Sequence, residues 1–565
     1  MKRFKIAAAV ATSLALVATA SACSSTGGSS AAGLGNTLYV LSGTPTEHWD
    51  PQRVYVGVNI AAGNRLFSRT LTTFAAPTSN DEKVPLVADA ATDTGTVSTD
   101  GKTWSFTIKD GVKWEDGKQV TCDDYKYGIS RSFAQDVITG GPTYAIAYLN
   151  IPSGKYLGPY KKTGQNLYDK AVVCSGQTIT FHLNQPVRDF NQALTMTAFA
   201  AFRQDKDQGD ASNFSIFSDG PYKLDGTWTA NKGGNFVRND QWSASTDTVR
   251  KANVDKIVWD ESLTQETLYQ RLLANKGADQ NAITFDQAPV TVLSSIESQA
   301  SGRNDIVSSP YTRYLVPNFK SKVFSNDKAR EALALATDRS AYVTAAGGDQ
   351  VVNATNSLIN PALDAYPNTG LLAGDKGDAV KAKAALQASG LTLPVKITVN
   401  YRKNDTLDKV FAGLKTAWDA AGFDTQLNGI PADQYYGTLQ STKNASKWDA
   451  AWAGWGADWP SGSTVIPPLL DSRVNLSAGS TGQDYGSFDN ATFNAGIDKA
   501  YAVTDDAQRE KAWGALDNEA VTKYFAVIPL INDKFVFAHG SNVSNTLVNL
   551  KYTGYYDLAN VSVKH

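Results

Sequence analysis

The spacing of apolar residues changes period several times along the chain, and each change marks an element. Leu38 to Leu41 is a short apolar run closed by Ser42-Gly43, which predicts a strand, while Asn59 to Phe67 suits a helix. Trp104, Phe106 and Ile108 alternate with polar residues before Asp110-Gly111 turns the chain toward Val112-Lys113-Trp114, predicting a hairpin-like segment. Thr121 and Asp124 form a capping box with Asp in place of Glu, and Tyr125, Ile129 and Phe133 fall on one face of the helix it starts. A strand is predicted from Thr178 to Leu183. Farther on, Asn326 or Asp327 caps an Ala/Leu helix reaching about Thr337, and Ala379 to Ser389 is a helix closed by Gly390. Val395, Ile397, Val399 and Tyr401 then alternate as a strand. Leu407, Val410, Phe411, Leu414, Trp418 and Ala421 trace a helical stripe stopped by Gly422, and Phe423 to Leu427 reads as the next strand. Such a run is a βαβ unit with parallel strands, so the chain is α/β with mixed sheets.

One stretch fits two periods. Trp448, Trp452, Trp455 and Trp459 recur at steps of four, three and four, which one face of a core helix would show. Gly454 and Gly456 each cost a helix interior about 1 kcal/mol relative to Ala, and Pro460 disfavours helical geometry at Trp459. A short strand running into a Gly-rich loop is the better fit. Asp458, alone among aromatic and glycine residues, is then either a loop anion bonded to backbone N–H groups or a buried carboxylate that needs a cation.

At 565 residues the chain exceeds one compact core, so two or three lobes are expected. Its 42% hydrophobic and 19% charged residues are those of a globular protein, and a formal charge of −2 offers nucleic acid no basic footprint. Lys2, Arg3 and Lys5 precede an apolar run from Ile6 to Ala18, and Ala20-Ser21-Ala22 leads to Cys23. Residues 1–22 thus read as an export signal, with an apolar run too short to cross a bilayer core about 30 Å thick. Its removal takes three cations and no acid, lowering the charge from −2 to −5. Residues 23–36, rich in Ser, Gly and Ala, then form a flexible tether spanning on the order of 20 Å. Cys122 and Cys174 remain, and an even pair in an exported chain invites a disulfide, the alternative being two separate buried thiols.

Catalytic apparatus is not visible. The four histidines, His48, His182, His539 and His565, stand at no zinc-ligand spacing, and no HExxH, GxSxG or GxxxxGK[ST] motif occurs. Asp205-Lys206-Asp207-Gln208-Gly209-Asp210 comes nearest to a calcium loop, but its glycine is one place early and Ile216 holds the position of the bidentate Glu. It reads as a solvated loop; no metal, no cofactor and no enzymatic activity are expected.

Ala20-Ser21-Ala22-Cys23 resembles a bacterial lipobox, with Ala20 where Leu is usual, which implies a diacylated Cys23. Several segments resemble, in order, the dipeptide- and oligopeptide-binding lipoproteins of bacterial ABC importers. They are Trp49-Asp50-Pro51, Val84 to Ala88, Ser98 to Ile108 continuing through Trp114 to Lys118, Asp219 to Tyr222, Asn326 to Arg339, and Trp448 to Trp459. The resemblance implies a two-lobed periplasmic-binding-protein fold of type II with a hinge that closes on solute. Lobe one would comprise residues 37–75, 205–312 and 530–565, with an inserted subdomain over 76–204; lobe two would be 313–529. Ala453 to Trp459 is similar to the family's AGW.ADY loop, so Asp458 is implied to pair with a peptide α-ammonium. Gly454 and Gly456 would admit ligand backbone, Trp455 and Trp459 would wall the pocket, and the Val54-Tyr55-Val56-Gly57 region would face Asp458 from lobe one. For the tryptophans, inter-lobe core packing stays open beside ligand contact. Trp452 stands where some peptide binders carry an Arg, and Pro460-Ser461 replaces an acidic-Pro pair.

The implied function is a monomeric, membrane-tethered receptor that delivers peptides to the permease of an ABC importer, holding the peptide backbone as an added strand. Another cationic or amphipathic solute, such as an opine or a siderophore, is the alternative within that class. A surface peptide sensor or chaperone, and an extracytoplasmic hydrolase, are the alternatives outside it.

Overall fold

The structure is a computed structural model that describes residues 35–369, 374–477 and 479–564; the expected export signal and the Cys23 lipidation site lie outside them. Its strands form three principal sheets. The first has five strands in the order Ala282–Ile283, Thr37–Leu41, Lys256–Asp260, Gly233–Arg238, Tyr222–Thr229. Thr37–Leu41 pairs in parallel with both of its neighbours, and the rest of that sheet is antiparallel. One face of it is sealed by an aromatic cluster in which Trp49 meets Trp228 edge-on at 5.2 Å and Trp259 at 5.6 Å.

The second sheet has six strands in the order Val352–Ala354, Ile528–Ala538, Asn304–Pro317, Ala450–Gly456, Val395–Arg402, Phe423–Ile430. Its parallel half is the βαβ unit read from the sequence: Val395–Arg402 and Phe423–Ile430 pair in register around helix Asp405–Ala420. That helix buries Leu407, Val410, Phe411, Leu414 and Trp418, the stripe its spacing requires.

A four-stranded antiparallel sheet, Thr96–Val97, Thr103–Thr107, Thr178–His182, Val172–Ser175, builds a third body. Trp104, Phe106, Phe181 and Phe190 share its core. Here the local pattern misleads: the segment after Trp104 does not fold back as a hairpin, because Thr103–Thr107 takes its partner from Thr178–His182, over seventy residues away. Beyond Asp110-Gly111, only an isolated bridge joins Lys113 to Gln119. Thr121 caps helix Cys122–Arg131 with both bonds of the capping box, and Asn326, not Asp327, caps Asp327–Ala336. Cys122 and Cys174 are joined as a disulfide with Cα atoms 5.8 Å apart.

Two long strands tie the lobes together. Asn304–Pro317 and Ile528–Ala538 contribute Val307, Phe535 and Phe537 to the core of the five-stranded body, then Tyr314, Leu315, Leu530 and Ile531 to that of the six-stranded one. Their pairing shifts register between Ser308 and Thr312, where they pass between cores. The cleft lies on either side of this crossing.

Candidate functional site

Strand Ala450–Gly456 pairs antiparallel with Asn304–Pro317, so Gly456 faces Tyr311, Gly454 faces Arg313 and Trp452 faces Leu315. This register sets what each residue can do. In a strand, alternate side chains leave opposite faces, and directly opposed residues share one. Trp452, Gly454, Gly456, Tyr311 and Arg313 therefore form one surface, while Trp455 leaves the other and joins the lobe-two core, its Nε1 donating to the Thr464 carbonyl at 2.8 Å.

The chain leaves this strand into a loop that carries Asp458 to the junction of all three bodies. Tyr55 Oη of the five-stranded lobe donates to Asp458 Oδ2 at 2.9 Å, and the hydroxyl of Tyr144, from the inserted body, donates to the same oxygen. Asp458 keeps some exposure to the cleft, but the rings around it strip most of its hydration. Desolvation raises its carboxyl to about 6, against the two tyrosine hydrogen bonds that stabilise the anion. No cationic side chain among the described residues pairs with it. An ammonium group, which carries both charge and N–H donors, is the chemical complement of such a carboxylate. Tyr55 and Val56 remain 41% exposed each, on the lip of the cleft at the start of helix Gly57–Leu66.

The structure gives the glycines and tryptophans of this stretch protein partners of their own. On the Cβ side of Gly454 and Gly456 stands protein: a Cβ on Gly454 would strike the Arg313 guanidinium, and one on Gly456 would come within 2.6 Å of the Tyr311 ring. The space belongs to the cross-strand partners, whose bulk demands glycine opposite. Trp455 sits on the face turned to its own lobe's core. Trp459 is 1% exposed within the core of the inserted body, where its Nε1 donates to Asp189 Oδ2 at 2.9 Å. An indole ring brings a large apolar area and one N–H, and that core answers both.

Other residues take up the surface. A cavity of about 650 Å³ opens beside the strand, lined in part by Arg313, Trp452, Tyr342, Arg402 and Asp533. Volumes of this order hold small organic ligands. Arg313 is held by Asp533, with Nη2 at 2.6 Å and Nε at 2.8 Å from Oδ2, and its guanidinium lies 5.3 Å from the Trp452 ring centroid. Arg402 lines the same cavity, exposed and, among the described residues, without an ion pair or side-chain hydrogen bond. Tyr311 links the two ends of the site, packed against Gly456 on one side and 5.5 Å from the Arg313 guanidinium on the other. Nothing in the local sequence singles out Tyr144, Tyr311, Arg313 or Arg402; only strand register and lobe placement bring them to Asp458 and the cavity. No cluster of acidic, His or Cys side chains suited to a metal ion occurs among the described residues, and no described helix is long and apolar enough to cross a membrane.

Known proteins share this architecture. The chain is 23% identical over 478 residues to the periplasmic oligopeptide-binding protein OppA of Salmonella typhimurium, covering 82% of each chain. It is 23% identical over 458 residues to the glutathione-binding protein GsiB of Escherichia coli, covering 80% of this chain and 81% of that one. The solved structure of clavulanic acid biosynthesis oligopeptide binding protein 2 superposes with a TM-score of 0.86 at 25% identity, over 94% of this chain and 96% of that one. Haemophilus influenzae OppA in complex with RPPGFSPFR superposes at 0.68 with 19% identity, over 94% and 99%. These likenesses give the two-lobed type II periplasmic-binding-protein fold. The model of bacterial extracellular solute-binding proteins, family 5, matches residues 85–476, most of the chain, and the chain belongs to that family.

Proposed function

We propose that this chain is a peptide receptor that feeds an ABC importer, with Asp458 meeting the ligand's α-ammonium and the adjoining cavity receiving the rest. The observation that carries this reading is the Asp458 carboxylate: it faces the inter-lobe cleft, bonded by tyrosines from two other bodies, and has no cationic partner among the described residues. Arg402 and Arg313 at the cavity give the site a cationic far end, which suits a dipolar ligand. The names of the similar proteins, oligopeptide- and glutathione-binding, agree with such ligands. The five-stranded sheet within residues 37–75 and 205–312, the four-stranded sheet within 76–204 and the six-stranded sheet, mostly within 313–529, support lobe one as residues 37–75, 205–312 and 530–565, the inserted subdomain as 76–204 and lobe two as 313–529. The receptor acts as a monomer without catalysis, anchored outside the cell through Cys23.

Calorimetry with alanine peptides of two to five residues tests this reading, each peptide with free ends or N-acetylated. Free peptides are expected to bind and acetylated ones to lose nearly all affinity. Equal binding of both forms removes the ammonium from the site, and no binding of either removes the peptide. A Cys23→Ala protein is expected in the medium; its retention on the membrane overturns the anchor.

A further inference from the structure

The cavity beside strand Ala450–Gly456 is chemically two-sided. Part of its lining is polar and open to solvent: Arg402, Asn404 and Asp405, where helix Asp405–Ala420 begins. Another part is aliphatic, made by Ala288, Val290, Ala346, Val351 and Val536. Backbone bonds gather these from distant segments. The Ala288 N–H donates to the Val536 carbonyl at 2.9 Å, and the Lys534 N–H donates to the Val351 carbonyl at 2.7 Å. Gly347, the cap that ends helix Arg339–Ala346, marks where the valines meet: a Cβ there would stand 3.2 Å from Val351 Cγ2 and 3.4 Å from Val290 Cγ1. Val351 packs both on the core of the six-stranded body and on the core that holds helix Gln265–Ala274.

Ala346 and Val536 are buried, whereas Val290 is 50% exposed, so a closed aliphatic floor carries an open aliphatic rim. The charges that border this part of the cavity are already engaged. Lys534 Nζ donates to the Asp349 carbonyl at 2.7 Å, and Asp533 is paired with Arg313. A single exposed valine is ordinary on a protein surface, but aliphatic groups converging in a concave site give water few partners and an alkyl group many.

Building on the peptide reading, we propose that this part of the cavity is a subsite for one branched aliphatic side chain, so that the receptor selects peptides with Leu, Ile or Val at one fixed position. Asp458 sets the frame. It lies beyond Gly456, while the cavity flanks Trp452, about 13 Å back along the strand at about 3.3 Å per residue. The side chain next to the ligand's ammonium therefore falls short, and a later one reaches the valines. A lysine or glutamate side chain placed there would give up hydration without gaining a partner.

Calorimetry with penta-alanine and its five single-leucine forms tests the subsite. Leucine at one position after the first is expected to tighten binding about tenfold, the scale of methylenes moved from water into an apolar pocket, with changes below about threefold elsewhere. At that position glutamate and lysine should bind no better than alanine. Val290→Asp should abolish the leucine gain and turn the preference toward lysine, and Val351→Ala should reduce the gain. The reversal reads the subsite itself, because a variant that merely loosens the fold weakens all peptides alike. Equal leucine gains at every position would mean unspecific apolar contact and overturn the proposal. So would glutamate or lysine binding as tightly as leucine, or a full leucine gain kept in both variants. If penta-alanine binds and no leucine form improves on it, the subsite falls and the peptide reading stands. A leucine form that binds where penta-alanine does not supports both, and if no peptide binds, both fall.

Discussion

Two groups of buried carboxylates in this molecule have opposite electrostatic fates. In a buried cluster outside the cleft, Asp89 lies between Arg69 Nε at 2.9 Å and Arg250 Nη2 at 2.8 Å, with Asp247 3.0 Å from Arg250 Nη1. Burial pushes Asp89 up, but the two guanidiniums outweigh it and hold the carboxyl below its usual range. Asp247 is held down in the same way. At Asp458 burial wins, because hydroxyls are its only side-chain partners among the described residues. Raised carboxyls also occur at Asp219, Asp484 and Asp517, yet each is 2% exposed or less and sealed inside a lobe. Asp458 differs from these in opening on the cleft. The comparison separates a charge compensated inside the fold from one left uncompensated at the cleft, and the criterion is compensation together with access.

Removing the carboxylates sharpens this contrast most. Asp89→Ala leaves two guanidiniums buried with fewer partners and should destabilise the fold by about 3–5 kcal/mol in urea unfolding, as breaking a buried ion pair does. Asp458→Ala should lower affinity for an alanine peptide by about 2–5 kcal/mol in calorimetry while leaving unfolding within about 1 kcal/mol of wild type. If the two variants exchange these effects, the distinction fails.

Smaller effects follow from protonation and from the far end of the cleft. Because the Asp458 carboxyl is raised to about 6, its burial favours the protonated form, and an ammonium ligand binds the ionised one. Peptide affinity should therefore be level above about pH 6 and fall as pH drops through it; Asp458→Asn should flatten the profile. An affinity that stays constant down to pH 4.5 would show that ionised Asp458 does not hold the ligand. Arg402→Gln should cost about 1–2 kcal/mol toward peptides with a free C-terminal carboxylate and almost nothing toward their amides, the scale of one hydrogen bond to a charged group. An equal loss for both forms would remove Arg402 as a reader of charge.

Much of the molecule was legible wherever local physics and final structure agree. The stripe from Leu407 to Ala421, the alternation from Val395 to Tyr401 and the Thr121 capping box each name their own neighbours, because helix and strand periods decide which side chains share a face. The glycines and Pro460 likewise ruled out a helix across the tryptophan-rich stretch, which is a strand followed by a loop. The roles of residues within that stretch were not legible. Gly454 and Gly456 answer to Arg313 and Tyr311, more than 130 residues away in sequence, and Trp459 answers to Asp189, in another body.

What the sequence by itself determined about this protein is its class, its secondary-structure frame and one carboxylate without a local partner. Which residues surround that carboxylate, which tryptophan lines the cavity and which one is buried against Asp189 were decided only by tertiary structure. Register across a sheet and contact across a cleft are relations between distant segments, and no local period encodes them.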